Sequence, residues 1–139
     1  MTERLGRDDI QALLDSSPFI VFCGMTCEKV WPDEDKLSIR MPMRPELERF
    51  PNTGQFHGGP IASLIDVAGD FAIALSLGGA VPTVNLRTDY LRPATGESLL
   101  ATAQVRRLGR TVAVIDVDVH DAQGRLVAIG RGTYSSTVG

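Results

Sequence analysis

Residues 52–66 read Asn52-Thr53-Gly54-Gln55-Phe56-His57-Gly58-Gly59-Pro60-Ile61-Ala62-Ser63-Leu64-Ile65-Asp66. This pattern predicts a loop that ends at the start of a helix, because proline suits the first helical turn and has no N–H to satisfy. The usual N-cap residue types are missing, so we expect the amides of Gly58 and Gly59 to point out of the helix unshielded. Such a positive helix end can hold an anion or a developing oxyanion, although a Gly-Gly-Pro turn can also simply begin a buried helix.

The helix that follows is the longest predicted element, over residues 60–77, and Gly78-Gly79 ends it. Its apolar stripe consists of Ile61, Leu64, Ile65, Ala68, Ala72 and Leu75. Asp66 and Asp70 lie on another face. A carboxylate is costly to bury unless it is hydrogen-bonded, which favours a functional or interface role for Asp66. The alternative interpretation places Asp66 on a solvent-exposed side of the helix.

Six strands and one short helix are predicted around this long helix. The short helix covers about residues 8–15, and the predicted strands are residues 19–31, 36–43, 84–91, 98–108, 111–120 and 126–136. A doubly wound α/β fold needs helices between successive strands, so this order excludes it. The order favours an α+β fold in which one bent antiparallel sheet wraps around one helix, as a single domain over residues 1–139.

The composition excludes several classes of protein. Hydrophobic residues make up 43% and charged residues 22% of the chain, which is typical of a globular protein. The net charge of −3 is small, so we expect no nucleic-acid partner. Residues 1–7 carry charges without an apolar segment behind them, which argues against a signal peptide. Asp66 and Asp70 interrupt the most apolar helix, so we expect no membrane span.

The two cysteines, Cys23 and Cys27, lie four residues apart in a predicted strand, where both would point to one face with their Cα atoms too far apart for a disulfide. Together with His57 and His120 they form no recognisable metal site. We therefore expect buried free thiols and a cytoplasmic location.

Three features resemble one family, the hotdog-fold acyl-CoA thioesterases, and within it the phenylacetyl-CoA and 4-hydroxybenzoyl-CoA thioesterases. They are the run Gly54-x-x-His57-Gly58-Gly59, Asp66 nine residues after the histidine, and the segment Val-Asn-Leu-Arg-Thr-Asp-Tyr-Leu-Arg-Pro-Ala at residues 84–94. The resemblance covers about residues 19–134. It implies a six-stranded sheet around a central helix, homodimers that pair sheets edge to edge, often homotetramers, and cleavage of an acyl-CoA thioester without a metal or bound cofactor.

The resemblance also implies roles for three residues, and the chemistry of a fourth, His57, leaves two roles open. Gly58 would supply the N–H that binds the oxyanion, and Asp66 would be the nucleophile or the general base. Thr83 would match a serine or threonine that helps to hold the attacking water, and from the residues alone it is either a hydrogen-bond partner of Asp66 or an ordinary strand residue. His57 would be a general acid or, alternatively, a structural residue whose ring bonds the loop backbone and fixes the glycine amides.

The sequence departs from the family at one position. Relatives often carry asparagine or glutamine six residues before the histidine to contact the thioester carbonyl, whereas this chain has Pro51 there. Asn52 takes that role if the loop shifts by one residue. Gln55, Gly59 and Asp70 are the further residues that we expect to contact the substrate.

The nucleotide of CoA carries phosphates, so its binding surface should present arginines. Arg92, directly before Pro93, and Arg110, in a predicted turn, are the candidates that we select from the arginines of the later strands and turns.

Helix geometry limits how Gly58 and Asp66 can cooperate. They are eight residues apart along one helix, which corresponds to about 12 Å of rise. Both groups therefore cannot contact one thioester carbon. If both act, each site needs Gly58 from one subunit and Asp66 from another, with antiparallel helices across a two-fold axis. The enzyme interpretation thus requires a dimer.

Two alternatives remain open from the sequence. One is a hotdog-fold hydratase or dehydratase of acyl thioesters, although the His-Gly-Gly-Pro run does not fit the motifs of those enzymes. The other is a non-catalytic acyl-CoA-binding module. The sequence does not identify the acyl group.

Overall fold

The structure is a computed structural model that describes residues 3–139. Met1 and Thr2, which belong to the segment interpreted above as carrying no signal peptide, lie outside the described residues. The helices are α1 (Arg7–Asp15), α2 (Pro18–Cys23) and α3 (Gly58–Leu77). The strands are β1 (Thr26–Trp31), β2 (Lys36–Pro42), β3 (Thr83–Tyr90), β4 (Ser98–Leu108), β5 (Val112–Asp121) and β6 (Leu126–Ser135).

The strands form one six-stranded sheet in the order β1-β2-β4-β5-β6-β3, and every neighbouring pair is antiparallel. The long helix α3 packs against β2 to β6. The predicted α+β fold, a six-stranded sheet around one long helix with a short N-terminal helix, is therefore confirmed. Strand β3 follows α3 directly in the chain but lies at the edge of the sheet opposite β1, where it pairs with β6.

The core forms where the apolar stripe of α3 meets the sheet. All six residues of the predicted stripe are buried, and on β2 the alternating residues Leu37, Ile39 and Met41 are fully buried. Truncation of a fully buried leucine such as Leu64 to alanine typically costs 2–5 kcal/mol, because a cavity remains. By length and composition α3 could cross a membrane, but 61% of its most apolar window is buried inside this fold.

The prediction of one strand over residues 19–31 is wrong in its first half, which is the helix α2. Ser17 caps that helix with its hydroxyl, which accepts the Ile20 N–H at 3.5 Å, and Pro18 occupies the first helical position. Gly24 ends the helix with a φ angle of 73°, a left-handed conformation that glycine adopts without strain. Start and stop signals therefore outweigh the strand-like apolar run between them.

The same correction moves the cysteines out of a common strand. Cys23 is the last residue of α2 and Cys27 lies in β1. Both are free and buried, and burial raises the pKa of each thiol, that of Cys27 to about 11. Both thiols are therefore protonated and unreactive near neutral pH.

Candidate active site

The first turn of α3 is capped by His57, whose backbone is extended (φ −67°, ψ 155°) and whose ring nitrogen Nδ1 accepts the Gly59 N–H at 3.4 Å. The expectation that both glycine amides are unshielded is therefore wrong for Gly59, because the histidine acts as the N-cap. Within residues 3–139 no group accepts the Gly58 N–H. The imidazole thus holds one amide, and the neighbouring amide stays available at the positive end of the helix.

Tyr90, at the end of β3, covers the helix start from the other side. Its hydroxyl donates to the Gly58 carbonyl oxygen at 2.7 Å, and a Cβ atom at position 58 would lie 3.3 Å from its ring. The peptide group between Gly58 and Gly59 is therefore hydrogen-bonded at both ends, by Tyr90 and by His57. Tyr90 is not among the residues predicted from the sequence, where its signal was its place in the segment of residues 84–94 that carries the resemblance.

A cleft of about 500 Å³ opens beside this helix start. Its lining includes Gln55, Gly58, Gly59 and the stretch from Tyr90 to Ala94. Ile61 and Phe56 contribute apolar surface, while Arg49 and Arg92 supply positive charge. The cleft is therefore suited to an extended, partly apolar ligand that carries negative groups.

Gln55 and Asn52 occupy different environments. The Gln55 carbonyl accepts the Arg49 N–H at 2.9 Å, and its backbone forms a bridge with Thr95, so its position in the cleft is fixed. Asn52 has a φ angle of 62°, is exposed and does not line the cleft. The structure thus brings Gln55, rather than Asn52, next to Gly58.

Asp66 lies two turns further along α3 and is half-buried. The hydroxyl of Thr83, the first residue of β3, donates to its Oδ1 atom at 2.7 Å. One carboxylate oxygen of Asp66 is thus held in place by the threonine. The predicted contact between these two residues is present, and their roles in a reaction stay a prediction.

Tyr134 of β6 fixes the same turn of the helix. Its hydroxyl donates to the Asp66 carbonyl oxygen at 2.8 Å, and its side chain is fully buried. The ring packs between Gly69 and Gly132, where an added Cβ atom would lie 2.5 Å from the side chain of Tyr134. Burial raises the pKa of the phenol, which keeps it a donor. The sequence analysis missed this tyrosine, since only the fold brings it to α3.

Asp70 is one further turn along the same face. Its Oδ1 atom accepts the Val81 N–H at 2.8 Å, and it does not line the cleft. Burial, and to a smaller extent the charge of Asp66, raise the pKa of Asp70 to about 6 in spite of that hydrogen bond. A direct contact between Asp70 and the substrate remains a prediction.

The two arginines selected as candidates for binding phosphate, Arg92 and Arg110, lie in different places. Arg92 lines the cleft, whereas Arg110 is exposed in the turn between β4 and β5 and does not line it. Arg131, on the sheet, binds Asp116 through two hydrogen bonds of 2.6 and 2.9 Å. Arg92 is therefore the better placed of the two candidates for a phosphate.

The family model described as Thioesterase superfamily matches residues 53–128. A protein of Halobacterium salinarum, provisionally named as an esterase, is 35% identical over 136 residues, covering 90% of this chain and 88% of that protein. Human acyl-coenzyme A thioesterase 13 is 36% identical over 94 residues, covering 66% of this chain and 67% of that protein.

Among solved structures, a protein from the thioesterase superfamily superposes with a TM-score of 0.87 and 36% sequence identity. The match covers 93% of this chain and 96% of that chain.

Proposed function

The chain belongs to the thioesterase superfamily, and we propose that this thioesterase hydrolyses its acyl-CoA substrate with the Asp66 carboxylate of one subunit and the Gly58 N–H of another. The observation that carries the proposal is the separation of the two groups within one chain. The free amide faces a cleft that contains no carboxylate, and Asp66 lies about 12 Å further along the helix, outside that cleft.

A dimer about a two-fold axis would complete each site. Within residues 3–139, β3 pairs with β6 alone, so its second edge presents free backbone groups, and Val84 on it is 62% exposed. Pairing of β3 with its copy would extend the sheet and bring two antiparallel α3 helices together. Asp66 of one subunit would then face Gly58 of the other.

In the proposed reaction Asp66 removes a proton from water as the water attacks the thioester carbonyl carbon. Thr83 holds Oδ1 of Asp66, which leaves Oδ2 free to take the proton. The negative charge that develops on the carbonyl oxygen is stabilised by the Gly58 N–H and the Gln55 side-chain amide. The carbon–sulfur bond then breaks, and the proton passes to the leaving CoA thiolate.

Direct attack by the Asp66 carboxylate is the second form of the same proposal. It would give a mixed anhydride and CoA, and water would hydrolyse the anhydride in a second step. Both forms need the same residues and neither needs a metal or a bound cofactor. Arg92 is placed to bind the phosphates of CoA, while Arg110 and Asn52 have no contact with the cleft.

The test is thiol release from a panel of aryl and straight-chain acyl-CoA thioesters, for the parent and for Asp66→Asn. We expect the variant to bind acyl-CoA normally and to turn over at least about 100-fold more slowly, because the base is lost. Asp118→Asn, an exposed aspartate on β5, is the matched control and should retain full activity.

Turnover by Asp66→Asn within a few-fold of the parent would remove Asp66 from the mechanism. Acyl-CoA binding by the parent without release of thiol would favour a non-catalytic binding module instead.

A further inference from the structure

The short segment between α3 and β3 is attached to the helix by two aspartates one turn apart. Asp70 accepts the Val81 N–H at 2.8 Å, and two residues later the Thr83 hydroxyl donates to Asp66 at 2.7 Å. Apart from the Gly78 N–H, which donates to the Ala74 carbonyl oxygen at the end of α3, the other backbone bonds of this segment run elsewhere: Pro82 C=O accepts from Ser135, and Ala80 C=O accepts from Gly139. Besides Asp66, Asp70 thus provides the second side-chain hydrogen bond that joins this part of the chain to α3.

We propose that Asp70 is a positioning residue of the hydrolysis, which holds Val81 against α3 so that the Thr83 hydroxyl meets Asp66. The inference rests on the proposed role of Asp66. Pro82 lies between the two contacts and restricts the backbone, so a fixed Val81 largely determines where Thr83 begins β3. The buried Val81 side chain adds a second anchor at the same residue.

Only an acceptor oxygen is needed for this role. Besides Asp66 on its own helix, the titratable group that faces Asp70 is Tyr134 of β6, which stays neutral. Burial raises the pKa of Asp70, and its protonated form still accepts the Val81 N–H through a carbonyl oxygen. The contact therefore survives on both sides of that titration, and an asparagine should replace the carboxylate.

The experiment compares Asp70→Ala with Asp70→Asn. We expect Asp70→Ala to lower kcat at least about 10-fold with KM within about 2-fold, because Thr83 loses its position while the cleft is untouched. Asp70→Asn should keep kcat within about 3-fold. Asp118→Ala, at the exposed position of β5, is the control for removal of a carboxylate. Circular dichroism and thermal melts establish that each variant is folded.

A double variant tests whether Asp70 affects kcat through Thr83. If Asp70 acts through Thr83, the double variant Asp70→Ala, Thr83→Val should be no slower than the slower single variant by more than about 2-fold. If the loss of kcat in the double variant equalled the product of the losses in the two single variants, the proposal would be overturned. A loss in Asp70→Asn as large as in Asp70→Ala would also overturn it, because the charge or the proton of Asp70 would then be what matters.

Amide hydrogen exchange at Val81 provides a readout that does not depend on activity. Exchange should be slow in the parent and in Asp70→Asn and should accelerate at least about 10-fold in Asp70→Ala. Unchanged exchange in Asp70→Ala would sink the inference. If the parent released no thiol, the proposed function would fail, whereas an active parent with full activity in Asp70→Ala would refute the positioning role alone.

Discussion

The first and the third turn of α3 differ in the chemical groups that they offer. At the first turn, around Gly58, the helix offers an unpaired amide, an open cleft and nearby positive charge from Arg92. At the third turn, around Asp66, it offers a half-buried carboxylate that accepts the Thr83 hydroxyl, while Tyr134 holds the backbone carbonyl of the same residue. One turn can stabilise a negative charge, and the other can accept a proton.

The difference teaches that, in the proposed mechanism, each chain carries both halves of a hydrolytic site but cannot combine them by itself. A rigid helix keeps the amide and the carboxylate about 12 Å apart, whatever the side chains do. A site that contains both groups therefore depends on a second subunit. The variants that follow change groups at or near one of the two turns, or combine changes at both.

The largest effect is expected from mixed dimers. Gly58→Pro removes the amide of the first turn, and Asp66→Asn removes the base of the third, so each variant alone should be nearly inactive. A mixed dimer holds one doubly damaged site and one intact site. After complete subunit exchange half of the dimers are mixed, and about a quarter of the native activity should return, measured as thiol release.

The proline variant needs its own control. His57 already has the extended backbone that a residue before proline requires, but a Cβ atom at position 58 would lie 3.3 Å from Tyr90. Folding and dimerisation of Gly58→Pro must therefore be demonstrated first. No recovered activity after proven exchange would refute a site shared between the two turns.

Burial of the Asp70 carboxylate, one turn beyond Asp66, should lower the stability of the fold, and the variant Asp70→Asn measures that loss. The pKa of Asp70 is raised from 3.8 to about 6, so stability is lost as pH rises from 3.8 to about 6, because the unfolded chain then releases a proton that the folded chain still holds. The variant should therefore be more stable than the parent at pH 8, by up to about 3 kcal/mol, and equal to it near pH 4. Urea unfolding at both pH values tests this, and a gain that is independent of pH would contradict it.

At the first turn, Gln55→Ala should lower kcat at least about 10-fold, because a donor to the oxyanion is lost. Asn52→Ala is the matched control, since Asn52 is exposed outside the cleft, and it should change kcat by less than about 2-fold. If Asn52→Ala instead slowed steady-state thiol release more than Gln55→Ala, Asn52 would be the second donor to the oxyanion.

The smallest expected effect concerns the charge beside the first turn. Arg92→Ala should raise KM for acyl-CoA by about 3-fold to 10-fold with little change in kcat, and added salt should reduce the difference. Arg110→Ala should leave KM unchanged because Arg110 does not line the cleft. An unchanged KM in Arg92→Ala would place the nucleotide elsewhere.

Most of the fold could be predicted from local sequence patterns. Alternation in β2 and the stripe of α3 follow directly from burial of one face, and both are observed. The strand predicted over residues 19–31 was partly wrong because a short apolar run has no period that separates a helix from a strand. There, the Ser17 cap and Gly24 decided the outcome.

The sequence by itself predicted the long helix that carries Asp66 and its spacing from Gly58, because these depend on neighbouring residues and on helix rise, although the helix begins at Gly58, two residues before the predicted start. Only the tertiary structure decided that Tyr90 covers the helix start, that Tyr134 fixes the turn of Asp66 and that Asp70 holds Val81. These contacts join residues far apart in the chain or across a loop, so their geometry depends on how the whole sheet packs on α3, which no local pattern records.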